Sequence, residues 1–116
     1  MALSRIAMPN LFEALPDDKA QEDFCEIVRS PGVRIERIVS HGQATPVDAP
    51  FDQPHDEWVL LLKGSAGLLI EGAEEISLRP GDHVLISAHR RHWVTWTDAH
   101  GPTVWLAVHL DNLASE

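Results

Sequence analysis

The stretch QPHDEWVLLLKG, residues 53–64, decides how this chain is read. Gln53, His55, Glu57, Val59 and Leu61 fall at every second position, and on a β-strand alternate side chains share one face. A histidine and a carboxylate are therefore aimed at the interior that Val59 and Leu61 help to enclose. The run stops at a glycine, Gly64. Isolated buried charges are costly, so an inward carboxylate needs a partner, a metal or a ligand.

Outward from this stretch, turn signals recur at short intervals: Ser30-Pro31-Gly32, His41-Gly42, Ala49-Pro50, Lys63-Gly64-Ser65, Glu71-Gly72-Ala73, Arg79-Pro80-Gly81-Asp82 and His100-Gly101-Pro102. Between them lie runs of strand length: VRIERIVS (33–40), EWVLLLKG (57–64), AGLLIEG (66–72), EISLR (75–79), HVLIS (83–87), HWVTWT (92–97) and TVWLAVHL (103–110). They are rich in Val, Ile, Leu, Trp and Thr, and several alternate. The pattern predicts an all-β chain, a sandwich or closed barrel that covers or removes its edge strands. Only residues 10–24, NLFEALPDDKAQEDF, suit a helical turn, with Pro16, Asp17 and Asp18 in first-turn positions. The rest of that segment feeds an early strand at FCEIV.

A chain of 116 residues with 44% hydrophobic content reads as one globular domain with a real core. Its eighteen acids against nine bases give a net charge of -9, and no basic run exceeds Arg90-Arg91. Nucleic acid and anionic membrane surfaces are thereby disfavoured as partners. No segment approaches membrane-spanning length, the first residues carry too short an apolar run for a signal peptide, and the expected location is the cytoplasm. Cys25 has no partner and no basic neighbour in sequence, so it reads as a small hydrophobe rather than a nucleophile.

The chemistry-bearing residues lie in two places, Gln53-Pro54-His55-Asp56-Glu57 and SAHRRHW (87–93). Imidazole nitrogen and carboxylate oxygen are the usual ligands of zinc, iron, manganese and nickel, and two His with one carboxylate leave open positions for substrate. His55, Glu57 and His92 make such a set if the fold brings the two segments together. The alternatives are structural. Glu57 can be an inward carboxylate held by Arg90, Arg91 or an indole N–H, and His55 a rim residue.

Glu57 followed after six residues by Gly64, and then PGDHVLISAHRRH (80–92), resemble the two-part signature of the cupin superfamily, G(X)5HXH(X)3-4E(X)6G and G(X)5PXG(X)2H(X)3N. Glu57 and His92 occupy its carboxylate and second-part histidine positions, both metal ligands in metal-binding cupins. The resemblance covers roughly residues 33–110 and implies a double-stranded β-helix, a jelly-roll barrel with its site in one mouth. The domain division it implies is an N-terminal extension and early strand over 1–32 and the barrel over 33–116. The departures are specific. The two first-part histidines fall on Phe51 and Gln53, or on Pro50 and Asp52 with the longer spacing; Ser87 stands at the proline, His89 at the second glycine and Trp96 at the final Asn.

The expected metal set is therefore His55, Glu57 and His92, with Gln53 as a weak ligand or a hydrogen-bonding neighbour. Phe51, Trp96 and Arg90 are the expected substrate-pocket residues, Arg90 as a clamp for a carboxylate. His89, in a position the family gives to glycine, is expected either to strain the backbone or to alter the turn. The reading is a small metal-binding cupin carrying a divalent ion (Fe, Mn, Ni or Zn) and acting as a dioxygenase-like, non-haem oxidoreductase on an oxygen-rich small molecule. The competing reading is a metal-free cupin that binds or senses a small ligand, and a third is a structural dimerisation module. The family resemblance also implies a homodimer.

Overall fold

The computed structural model describes residues 8–17 and 19–111. Eight strands follow in chain order: β1 (Asp23–Ser30), β2 (Val33–Ser40), β3 (Asp56–Lys63), β4 (Ala66–Ile70), β5 (Ile76–Leu78), β6 (His83–Ile86), β7 (His92–Thr97) and β8 (Thr103–Leu110). β2, β7 and β8 have the bounds expected from their hydrophobic runs, and no described residue is helical.

In place of a helical turn, residues 11–14 form a simple turn: Glu13 N–H donates to the Asn10 carbonyl at 3.2 Å, and Phe12 N–H to Asn10 Oδ1 at 2.8 Å. The Asn10 side chain competes with helical hydrogen bonding, and Pro16 biases Leu15 away from helical backbone angles. Asp18 lies outside the described residues. Among them, no helix is long and apolar enough to cross a membrane.

The strands form two antiparallel sheets, one ordered β1-β2-β8-β3-β6 and the other β5-β4-β7. Val59, Leu61, Ile86, Trp105 and Ala107 from the larger sheet meet Ala66, Leu68 and Leu78 from the smaller one in a single core. Burying a Leu or Val side chain stabilises by roughly 1.5–3 kcal/mol, so this layer dominates the folding free energy. β3 alternates as its sequence requires, with Glu57, Val59 and Leu61 buried and their neighbours half-buried.

Two backbone devices shape the barrel. Gly64 turns the chain out of β3 at φ +88°, where a Cβ would stand 2.6 Å from Thr103 Oγ1 and 2.8 Å from Thr103 Cα. Only glycine fits both the angle and the space. In β7, Trp96 pairs with Gly67 and Val94 with Leu68, so Thr95 is an extra residue and the strand bulges. A bulge inserts one residue and reverses the inward and outward alternation beyond it.

Candidate functional site

The register of three neighbouring strands assembles one wall of the interior. Across β2, β8 and β3 the rows are Arg34, His109 and Glu57; then Glu36, Ala107 and Val59; then Ile38, Trp105 and Leu61. The segment before β3 closes the cavity from the other side. Phe51 bridges to β7, its N–H donating to the His92 carbonyl at 2.9 Å and its carbonyl accepting from His92 N–H at 3.1 Å. The family's two motif segments are thus joined through backbone. The Gln53 carbonyl strengthens the junction by accepting from His89 N–H at 2.7 Å.

The enclosed space is small, about 80 Å³ behind an open mouth, below the roughly 300–1,000 Å³ of drug-sized ligand sites. Its walls are mostly apolar, with Ile38, Val59, Leu68, Ile86 and Val94 beside Phe24, Phe51 and Trp105. The polar groups facing it are Glu22, Glu36, Gln53, Glu57, His92 and His109.

Glu57, only 6% exposed, is the centre of this polar group. Gln53 Nε2 donates to its Oε1 at 3.0 Å, His92 Nε2 stands 3.6 Å from the same oxygen, and His109 Nε2 lies 4.0 Å from Oε2. Burial pushes the Glu57 carboxyl up, but the His92 contact, the His109 and His92 charges and the Gln53 hydrogen bond together hold it below the ordinary carboxylate range. The reverse balance acts on His92. Burial lowers its imidazole, while Glu57 and the Arg90 carbonyl favour the cation and leave it raised. His92 Nδ1 donates to the Arg90 carbonyl at 3.0 Å, which leaves Nε2 to face the carboxylate. The Phe51 ring stacks on the same imidazole, centroids 5.3 Å apart and planes 21° from parallel.

A second imidazole completes the group. His109 Nε2 donates to Glu36 Oε1 at 2.8 Å, and Glu36 Oε2 in turn accepts from Arg34 Nη1 at 3.1 Å. His109 Nδ1 is 2.8 Å from His55 Nε2, so both of its ring nitrogens are engaged. Neither His109 nor Glu36 was among the expected site residues. A period-two signal was available in TVWLAVHL, where Trp105, Ala107 and His109 alternate, and all three are buried.

Gln53, Glu57 and His92 come together as expected, and Phe51 lines the cavity beside them. His55 does not share that cavity. It precedes β3 in a bend, where the every-second-residue rule lapses, and its ring stands behind His109 with Nδ1 3.9 Å from Asp111 Oδ1. An outer groove contains both His55 and Asp111.

Trp96 and Arg90 also stand outside the cavity lining. The Thr95 bulge turns Trp96 away from the face it would have shared with His92 and lays its indole over Gly67, whose added Cβ would meet Nε1 at 2.3 Å. Arg90 donates from Nη2 to the Glu71 carbonyl at 3.1 Å, and Arg91 pairs with the Glu71 carboxylate. His89 adopts φ 62° in the family's glycine position, so of the two expectations the strained backbone is the one found.

In metal-binding cupins, four side chains hold the divalent ion. Two of those positions carry Glu57 and His92; the other two carry Phe51, whose ring packs on His92, and Gln53, whose amide nitrogen points at Glu57. The other imidazole in the cavity, His109, is committed to Glu36. Among the described residues no group of three or more His, Cys, Asp or Glu is arranged to hold a metal ion. The side chains therefore do not fit the family's metal set.

Residues 37–109 match the family described as Cupin domain. Among solved structures, a protein from Ralstonia eutropha JMP134, provisionally named a mannose-6-phosphate isomerase, is 45% identical, with a TM-score of 0.87 over 92% of this chain and 100% of that one. A cupin superfamily protein from Desulfitobacterium hafniense DCB-2 shares the fold at 19% identity and a TM-score of 0.73, covering 93% of this chain and 94% of its own. A double-stranded β-helix protein from Klebsiella pneumoniae does so at 14% identity and a TM-score of 0.74, over 96% of this chain and 95% of that one. No curated protein matches the chain.

Proposed function

The chain belongs to the cupin family, and we propose that it binds a small organic molecule in the barrel cavity without a resident metal, using Glu57, His92 and Gln53 as its polar contacts and Phe51 and Trp105 as aromatic walls. One observation carries this reading. At the two positions where the family resemblance calls for histidine ligands, an aromatic ring stacks on His92 and an amide donates to Glu57, so the remaining pair is already packed and hydrogen-bonded. A largely apolar cavity with a few convergent polar groups is the usual form of a small-molecule site.

The activity in the Ralstonia protein's provisional name does not transfer readily. A sugar phosphate would bring an anion into a cavity faced by Glu22, Glu36 and Glu57, with no Lys or Arg among its described lining residues.

The second reading is a non-haem metal oxidoreductase, and the observation in its favour is that Glu57 and His92 face each other 3.6 Å apart inside the cavity. Elemental analysis of untagged protein, beside Glu57→Ala and His92→Ala, separates the two. The metal-free reading expects substoichiometric metal even after incubation with iron, manganese, nickel or zinc salts. Near-stoichiometric metal lost in both variants would overturn it, and oxygen-consumption assays with enediols and β-diketones would follow.

A further inference from the structure

Resting on the metal-free reading above, we infer that the guest of this cavity is a small amine, bound as its ammonium ion and carrying an apolar body. The first observation is an acceptor with nothing to accept. Glu57 is 6% exposed, and its Oε1 is occupied by Gln53, but among the described residues Oε2 receives no hydrogen bond. His109 Nε2 stands 4.0 Å from that oxygen and already donates to Glu36. Oε2 is not among the fully enclosed unpaired atoms, Arg37 Nε and Thr95 Oγ1; it opens onto the cavity, where an acceptor without a protein donor is free to take one from a guest.

The charge of the walls decides what kind of donor. Glu22 and Glu36 face the same space as Glu57, and the guanidinium that answers Glu36 belongs to Arg34, which lines the outer groove and not the cavity. His92 offsets one of these three carboxylates at most, and interactions are weakly screened inside a protein, so a cationic guest is favoured over an anionic one. An ammonium group also makes a charge-assisted hydrogen bond to Oε2, roughly twice as strong as a neutral one. The third observation is independent of charge count. Phe24, Phe51 and Trp105 present aromatic rings to the cavity, and aromatic faces attract organic cations. A neutral alcohol could donate to Glu57 but would gain from neither the carboxylates nor the rings.

Three probes that differ only in their polar group test this on the full chain: benzylamine, benzyl alcohol and benzoate. Affinity is read by calorimetry, and the site by the amide-type NMR signal of the Trp105 indole N–H. Benzylamine is expected to bind at least about tenfold more tightly than benzyl alcohol, to shift the Trp105 signal, and to leave benzoate without measurable binding. Glu57→Gln should erase the amine's advantage while leaving the alcohol's affinity in place. If that variant fails to fold, Glu22→Gln should narrow the advantage instead. Equal binding of amine and alcohol, or tighter binding of benzoate, would overturn the cationic guest and leave a metal-free ligand site standing. No binding of any probe would overturn the inference, and near-stoichiometric metal in the same sample would remove the underlying reading as well.

Discussion

Replacing Glu57 by Gln keeps the shape of the side chain and removes its charge, and the structure gives the consequence a size. At the 3.6 Å separation of His92 Nε2 and Glu57 Oε1, Coulomb's law with an effective dielectric of about 20 gives an attraction of roughly 4–5 kcal/mol. Desolvating both groups consumes much of that, and a net loss of about 2 kcal/mol remains, in the range of charge-assisted hydrogen bonds. For a urea dependence of about 2 kcal/mol per molar, the unfolding midpoint falls by about 1 M.

The loss depends on pH, and its sign follows from the two shifts. Glu57, lowered in the fold, stabilises above the ordinary carboxyl value and loses that contribution as pH falls through its folded value. His92, raised in the fold, stabilises below the ordinary imidazole value and loses its contribution as pH rises through its folded value. Both contributions are complete between the ordinary values, 4.5 and 6.5. Urea titrations from about pH 5 to about pH 9 should therefore show the largest difference between wild type and variant near the acid end, shrinking as His92 deprotonates. The His92 ring proton, followed by NMR, should titrate at lower pH in the variant, because burial then acts without its counter-charge. An equal loss at every pH, or an unchanged His92 titration, would refute the coupling.

The remaining predictions concern backbone and surface. His89→Gly relieves a left-handed residue at φ 62° whose exposed side chain makes only a 3.6 Å contact with Asp52; thermal unfolding should show a gain of about 0.5–1 kcal/mol. Gly64→Ala adds a Cβ within 2.6 Å of Thr103 Oγ1 at φ +88°, and chemical denaturation should show a loss of about 2–4 kcal/mol. β1 is an edge strand with Phe24, Ile27 and Val28 exposed at 52%, 46% and 47%. Sedimentation is expected to show a homodimer that Ile27→Lys converts to monomer, and an unchanged mass in that variant would place the contact elsewhere.

The strands and the inward face of β3 were legible in the sequence because both depend on period-two patterning and local turn chemistry. Val33–Ser40, His92–Thr97 and Thr103–Leu110 are apolar, β-branched or aromatic runs bounded by Gly and Pro, and Glu57 shares the parity of Val59 and Leu61 within one regular strand. The sequence left His89 between a strained backbone and an altered turn, and the fold kept the turn with a positive backbone angle. What only the tertiary structure decided lies where local periodicity breaks or where distant strands meet. The bend at Pro54 and His55 sends the His55 ring outside, and the Thr95 bulge turns Trp96 away, because each interrupts the alternation on which a facing argument rests. His109 and Glu36 join Glu57 only because β8 lies between β2 and β3, a pairing set by the packing of the whole sheet and not by any neighbouring residue.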